Sequence, residues 1–181
     1  IRYRDVTGVQ TCALPISVEF REAADEDQAK RIWLGRKSAF GAMGQMGDYI
    51  CLAGTIPVSS LAHVLKRIAE MSRDFGLEVA NVFHAGDGNM HPLILFNANR
   101  EGDLDRAEAL GAEILKLCVE VGGCLTGEHG VGIEKRDLMA VQFSEADMEA
   151  QMRVKDVFDP KWLLNPAKVF PLGVSARRRA G

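Results

Sequence analysis

The order of apolar runs and helical repeats predicts an α+β fold: a ferredoxin-like antiparallel sheet, helices on one face, and a C-terminal helical segment. Three observations carry this expectation. Short β-like runs at 48–56, 77–84 and 93–96 alternate with two stretches of helical periodicity. Both helical stretches stop at glycine. With a last short strand near Gly123 to Thr126, the order becomes strand, helix, strand, strand, helix, strand, the β-α-β-β-α-β plan of such a sheet.

The elements are taken in chain order. The first sixteen residues, Ile1 to Ile16 (IRYRDVTGVQTCALPI), do not blend into the rest of the chain and resemble a translated sequencing-adaptor segment. They are read as a leader outside the fold, with a domain over 17–171, cut on its N-terminal side from a longer polypeptide, and a tail over 172–181. Residues 22–42 are charged and Ala-rich, with Ile32, Trp33 and Leu34 as their apolar centre, and read as helix. Asp48 to Ile56 reads as one strand ended by Pro57. Ser59 or Ser60 is placed to cap a helix with apolar positions Leu61, Val64, Leu65, Ile68 and Phe75, and Gly76 sits at its C′ position. His63 reads as an ordinary residue of this helix. The second helix, about Leu104 to Val121, is expected to bury Leu104, Ala107, Leu110, Ile114, Leu117 and Val121 before Gly122-Gly123. Two further helical stretches flank Phe143, and FDPKWLLNP closes the order. The basic end Ala176 to Gly181 reads as a solvated terminus.

Composition narrows the class. The chain has 181 residues, 47% hydrophobic and 26% charged, with a net charge of −3. Phosphate recognition calls for an excess of Lys and Arg, so a nucleic-acid partner is disfavoured. No run of 18 apolar residues is present to span a bilayer. Cys12, Cys51, Cys118 and Cys124 form no C-x-x-C pair and read as reduced, buried thiols, which favours a cytoplasmic address.

The chemistry concentrates in two short motifs. His84-Ala85-Gly86-Asp87-Gly88-Asn89-Met90-His91 places half of the chain's four histidines around a turn of Gly, Asp and Asn. In a hairpin, facing positions lie about 5 Å apart, close enough to share a metal. Thr126-Gly127-Glu128-His129-Gly130-Val131-Gly132 sets a carboxylate and an imidazole between glycines that permit close backbone approach. Two imidazoles and one carboxylate make a three-ligand set with an open position. A tight hairpin with incidental histidines, and a glycine-rich loop with a solvated Glu128, are the structural alternatives. HExxH, a GK[ST] phosphate loop, an EF-hand loop and a G-x-S-x-G elbow are absent from the sequence.

HAGDGNMHP, GEHGVG and the closing FDPKWLLNPAKV, in that order, resemble the C-terminal domain of FAD-linked 2-hydroxy-acid oxidases. This family includes the flavoprotein subunit of glycolate oxidase, D-lactate dehydrogenase and D-2-hydroxyglutarate dehydrogenase. The likeness is greatest to the glycolate oxidase branch and covers roughly residues 18–171, with WLGRKSAF and GTIP also fitting. The resemblance implies a divalent metal, zinc above others, on His84, His91 and Glu128. It implies His129 as the base for the substrate hydroxyl and Arg36 as the ligand of the substrate carboxylate. It also implies FAD, bound mainly by an N-terminal domain these residues do not replace, with Asn165 of the closing segment near the flavin. Without that domain the chain is not expected to turn over. Partner subunits that carry electrons onward, at the membrane if peripheral, are implied by the same resemblance.

The sequence departs from its relatives at three positions. Ala53 precedes GTIP where Asp is common, Leu93 stands where hydroxyglutarate-type members place Asn, and Ala167 replaces a frequent Gly. Leu93 favours a small acid such as glycolate or lactate over a dicarboxylate. A metal-dependent hydrolase using His84, His91 and Glu128, and a non-catalytic ferredoxin-like metal-binding module, are the competing readings at this stage.

Overall fold

The computed structural model describes residues 21–82 and 84–173; the expectations for Ile1 to Ile16, with Cys12, and for Ala176 to Gly181 lie outside the described residues. Helix α1 (Glu26–Met43) starts where the Asp25 side chain accepts the Gln28 N–H, and Glu26 and Asp27 suit the positive end of its dipole. It buries Ala29, whereas Ile32, Trp33 and Leu34 are exposed, so the expected apolar centre is not a core stripe.

The single strand expected over 48–56 is two, β1 (Asp48–Cys51) and β2 (Gly54–Thr55). Helix α2 (Leu61–Phe75) follows, then β3 (Val79–Asn81), β4 (Asn89–Met90), β5 (Pro92–Phe96) and helix α3 (Asp103–Glu120). The break between β1 and β2 has a cause. β1 pairs antiparallel with β5, whereas β2 pairs antiparallel with β4, so the chain changes partner at Leu52 and Ala53. β3 also pairs antiparallel with β5, giving the order β1-β5-β3. The last expected strand shrinks to one antiparallel bridge between Thr55 and Cys124. Across the sheet, Cys124, the β1–β2 strand, the β4–β5 strand and β3 reproduce the ferredoxin-like arrangement.

Two helix details differ from expectation. Ser60 makes no side-chain cap; α2 is entered through a 3₁₀ turn, Val58–Ser60, whose Ser60 N–H donates to the Pro57 carbonyl at 2.8 Å. Pro57, with its fixed φ, starts this turn, and the Leu61 N–H that follows donates to the Val58 carbonyl. Leu104 is exposed in the first turn of α3, whereas Ala107, Leu110, Ile114 and Leu117 are buried as expected.

α2 and α3 pack on the same face of the sheet, where Val64, Ile68, Leu110 and Ile114 meet Leu52 and Ile94, with Ile50 and Val79 at the margin. Each fully buried Leu or Ile contributes roughly 1.5–3 kcal/mol through lost water contact. Strand alternation then turns the facing pair Cys51 and Leu93, together with His91, to the opposite face. That face carries the site. The cysteines divide: Cys118 is buried, its thiol pushed up to about 11 by desolvation, but Cys51 is half-buried and Cys124 exposed. Cys124 has lost cover because only one bridge holds its strand.

Beyond the sheet lie α4 (Met139–Gln142) and α5 (Glu145–Phe158), the two helices expected around Phe143. Ser144 and Asp147 form a reciprocal capping box at the start of α5. The closing segment folds on itself: Trp162 and Phe170 pack with Met152, and the Trp162 indole donates to Asp156 at 2.6 Å. Asp159 fixes the turn, accepting the Leu163 and Leu164 N–H groups at 2.9 and 3.0 Å and the Lys155 ammonium at 2.8 Å.

These partners, Lys155 first, hold the Asp159 carboxyl below its ordinary range. A depressed carboxylate contributes stability at neutral pH and loses it as pH falls through its folded pKa. Asp159→Asn should therefore lower the melting temperature at pH 7, and the gap from wild type should close on acidification. Equal gaps at pH 7 and pH 3 in a thermal-melt series would contradict the assignment. Ala167 holds a left-handed φ of 61°, a conformation that costs an L-residue roughly 1 kcal/mol. Ala167→Gly should raise stability by roughly 0.5–1 kcal/mol in urea titration, despite glycine's larger unfolded-state entropy; a loss would place the strain elsewhere.

Candidate metal centre

The segment Leu52–Ile56 brings the two sequence motifs together. On one edge it pairs with Asn89 and Met90, and the Ile56 N–H donates to the Gly88 carbonyl at 2.9 Å. On the other, Thr55 and Cys124 exchange both backbone hydrogen bonds at 3.0 Å, and the Gly127 N–H donates to the Ala53 carbonyl at 2.8 Å. His84 and His91 hang from the first edge, Glu128 and His129 from the second. Two glycines make this closeness possible. A Cβ on Gly88, whose φ is 69°, would lie 2.0 Å from the Ile56 oxygen; one on Gly127 would lie 2.4 Å from Asn89 Oδ1.

The histidine turn is not a simple two-residue hairpin. His84 bridges to Asn89, its N–H donating to the Asn89 carbonyl at 3.0 Å, and the Val82 N–H donates to the His91 carbonyl. The two histidines are thus offset rather than directly opposed, because the 3₁₀ turn Ala85–Asp87 lengthens the loop. Their rings still meet edge to face with centroids 5.5 Å apart.

His91 is buried, and its Nδ1–H donates to the Leu52 carbonyl at 3.0 Å. In the neutral ring that bond leaves the lone pair on Nε2, which lies 2.9 Å from Glu128 Oε1. A cation between these two atoms, proton or metal ion, brings them together. Donors sharing one zinc-sized ion at about 2 Å each lie about 3 Å apart. A backbone carbonyl on the far ring nitrogen is the support that metal-bound imidazoles commonly have. The candidate ligand atoms of His84, His91 and Glu128 lie within 4.8 Å of one another. Asn89 Oδ1 is a buried acceptor with no hydrogen-bond partner among the described residues, so a ligand group has a polar atom left to meet. The donor set fits a divalent metal.

The other expected residues fall around this set. His129 stacks on His91, centroids 5.1 Å apart, with its Nε2 3.9 Å from Glu128 Oε1. Desolvation first, then the neighbouring His91 and Lys135, holds its imidazole below the ordinary pKa, which favours the neutral form. Arg36 reaches across from α1 and donates from Nη2 to His84 Nδ1 at 3.4 Å, its guanidinium lying over Trp33. Asn165 sits on the closing loop, where its carbonyl accepts the Lys168 N–H; Lys168 in turn lines a cleft of about 490 Å³ with Cys51, His129 and Lys135.

Sequence motifs do not single out Lys135. It is buried, and its ammonium donates at 3.2 Å to the Ala53 carbonyl and to the Thr126 hydroxyl, both uncharged. Burial pushes its pKa down. Lys135 and Lys168 line this cleft together with Glu134. A lysine after a glycine-rich loop reads in sequence as solvated; only folding under Ala53 makes it structural.

Comparison with known proteins places these features in a family context. Residues 7–169 match the family model described as "FAD linked oxidases, C-terminal domain". The chain is 53% identical over 156 residues to the "Glycolate oxidase subunit GlcD" of Escherichia coli K12, covering 86% of this chain and 31% of that protein. It is 31% identical over 178 residues to the subunit of the same name from Bacillus subtilis, covering 97% and 37%. It is 32% identical over 163 residues to the "D-lactate dehydrogenase [cytochrome], mitochondrial" of Kluyveromyces lactis, covering 86% and 28%. The chain thus spans about a third of the length of the curated relatives it matches.

Because Lys135 ties the Thr126 loop to Ala53, it acts on the site through the placement of Glu128. In a titration with an added divalent metal, Lys135→Met should weaken any binding at the candidate site by about 10–100-fold, the usual cost of losing a supporting group. Competition with a chelator reads the affinity, and circular dichroism checks that the fold persists. Unchanged affinity would separate Lys135 from the site.

Proposed function

The chain belongs to the family of C-terminal domains of FAD-linked oxidases, and on that premise we propose that it is the metal- and substrate-holding part of a flavin-dependent 2-hydroxy-acid dehydrogenase. The substrates are glycolate- or D-lactate-type acids, oxidised to 2-oxo acids. The observation that carries this reading is the convergence of His84, His91 and Glu128 within 4.8 Å, beside His129 and Arg36. The domain runs over 17–171, between a leader at 1–16 and a tail at 172–181, and FAD is held mainly by a part of the polypeptide upstream of it.

A divalent ion on the three ligands, zinc in the first place, supplies Lewis acidity toward a 2-hydroxyl, and FAD supplies the two-electron acceptor. The chain's own residues do the rest. Arg36 offers two parallel N–H donors to the substrate carboxylate, which fixes the α-carbon's orientation. His129, its pKa held below the ordinary value first by burial, accepts the hydroxyl proton at Nε2. His91 is locked in the ligating tautomer by Leu52, so it needs no rearrangement to serve. Leu93 is fully buried beside Cys51 and offers no polar group to a second carboxylate, which supports a small substrate. Asn165 and the closing loop lie toward the flavin.

The relatives named as subunits support an assembly in which partner subunits pass electrons onward. Among the described residues no helix is long and apolar enough to cross a membrane. We place the protein in the cytoplasm, with any membrane contact made through those partners.

The test is to assay the full polypeptide, with its flavin-binding part, against glycolate and D-lactate with an artificial electron acceptor. Flavin bleaching by one of them is expected, and none from this chain alone; failure of every 2-hydroxy acid to reduce the flavin would reject the reading. His84→Ala and His91→Ala should each lower the zinc content of the purified protein. His129→Gln should keep the metal and slow flavin reduction by about 10²–10⁴-fold, and a wild-type rate there would remove its role as base.

A further inference from the structure

We propose that Cys51, His91 and His129 form a second donor set, for a thiophilic divalent cation, overlapping the first through the imidazole of His91. It shares that one residue with the proposed metal centre and otherwise does not depend on the 2-hydroxy-acid reading.

The geometry follows from the sheet. Cys51 faces Leu93 across the β1–β5 pair, so the side chain of His91, two residues before Leu93, lies diagonally beside Cys51 on the same face. Both groups converge on one acceptor: the Cys51 thiol donates to the Leu52 carbonyl at 3.6 Å and His91 Nδ1–H donates to it at 3.0 Å. From the other side His129 lies nearly parallel to His91, with an interplanar angle of 24°. The candidate ligand atoms of Cys51, His91 and His129 lie within 4.8 Å of one another. Cys51 and His129 also line one cleft, so an ion has access from solvent.

The two sets differ in one donor type. Glu128 offers a hard oxygen and Cys51 a soft sulfur, and ions sort by that difference. Cadmium favours the thiolate side most strongly, zinc and cobalt(II) accept either donor, and magnesium, calcium and manganese favour the carboxylate side. Binding replaces the S–H bond with an S–metal bond and releases one proton to solvent, with no change of oxidation state. Because both sets use the one imidazole of His91, they are alternatives, and each chain holds one ion at a time. An ion in the thiolate set withdraws both His91 from the first set and His129 from proton transfer. A soft cation is therefore a built-in competitor of the centre.

The experiment titrates cobalt(II) and cadmium into the metal-free chain and follows the near-ultraviolet thiolate-to-metal absorption. One equivalent should produce the band in wild type, in His84→Ala and in Cys124→Ser. Cys51→Ser should remove the band and lower cadmium affinity about tenfold or more. Binding without a thiolate band, or a band that survives Cys51→Ser, would overturn the proposal and leave the His84–His91–Glu128 centre standing. Absence of any binding in wild type would overturn both, whereas a band lost in Cys51→Ser supports this set even if no 2-hydroxy acid reduces the flavin.

Discussion

The structure depends on the doubly bonded backbone of residues 52–56. Leu52, Thr55 and Ile56 donate to one edge or the other, and Leu52 and Ala53 accept side-chain bonds from His91 and Lys135 as well. A segment this short buries its polar groups only if chain arrives on both sides, and the two arriving chains are the glycine-rich motifs that carry His84, His91, Glu128 and His129. The glycines of those motifs are explained by the same constraint. Gly88 and Gly127 stand where any side chain would strike Ile56 or Asn89, so the motifs are glycine-rich because they pack against a strand.

A second consequence concerns charge. Lys135 is buried against neutral acceptors, and Lys168 and Glu134 line the cleft beside it. An ammonium buried against neutral groups is costly, and its field raises the attraction of the opening for anions.

The closing segment has its own logic. Asp159 gathers two backbone donors and one ammonium, and the chain beyond it turns through left-handed residues at Trp162, Asn165, Ala167 and Val169. None of these is glycine, so the turn is held by its contacts: Trp162 with Phe170, Arg136 with the Ala167 carbonyl, and the Val169 N–H with the Gly132 carbonyl. The last of these ties the closing loop to the glycine-rich loop that carries Glu128 and His129.

Much of the fold and site is legible in the residues alone. Helical periodicity places α2 and α3 and most of their buried residues, motif chemistry picks His84, His91, Glu128 and His129, and the family resemblance adds Arg36; all five meet in space. Local pattern does not reveal the split of the 48–56 strand, the exposure of Ile32 to Leu34, the uncapped start of α2, or the offset of the two histidines. Each of those is decided by which chain segment arrives alongside. The sequence by itself determined the α+β plan, the family and the donor types, because periodicity and residue chemistry are local properties. Only the tertiary structure decided that Lys135 is buried, that Cys51 lies beside His91, and that Leu52 fixes the His91 tautomer. These depend on strand register and on loop closure over residues 52–56, and no single segment encodes a distance to another.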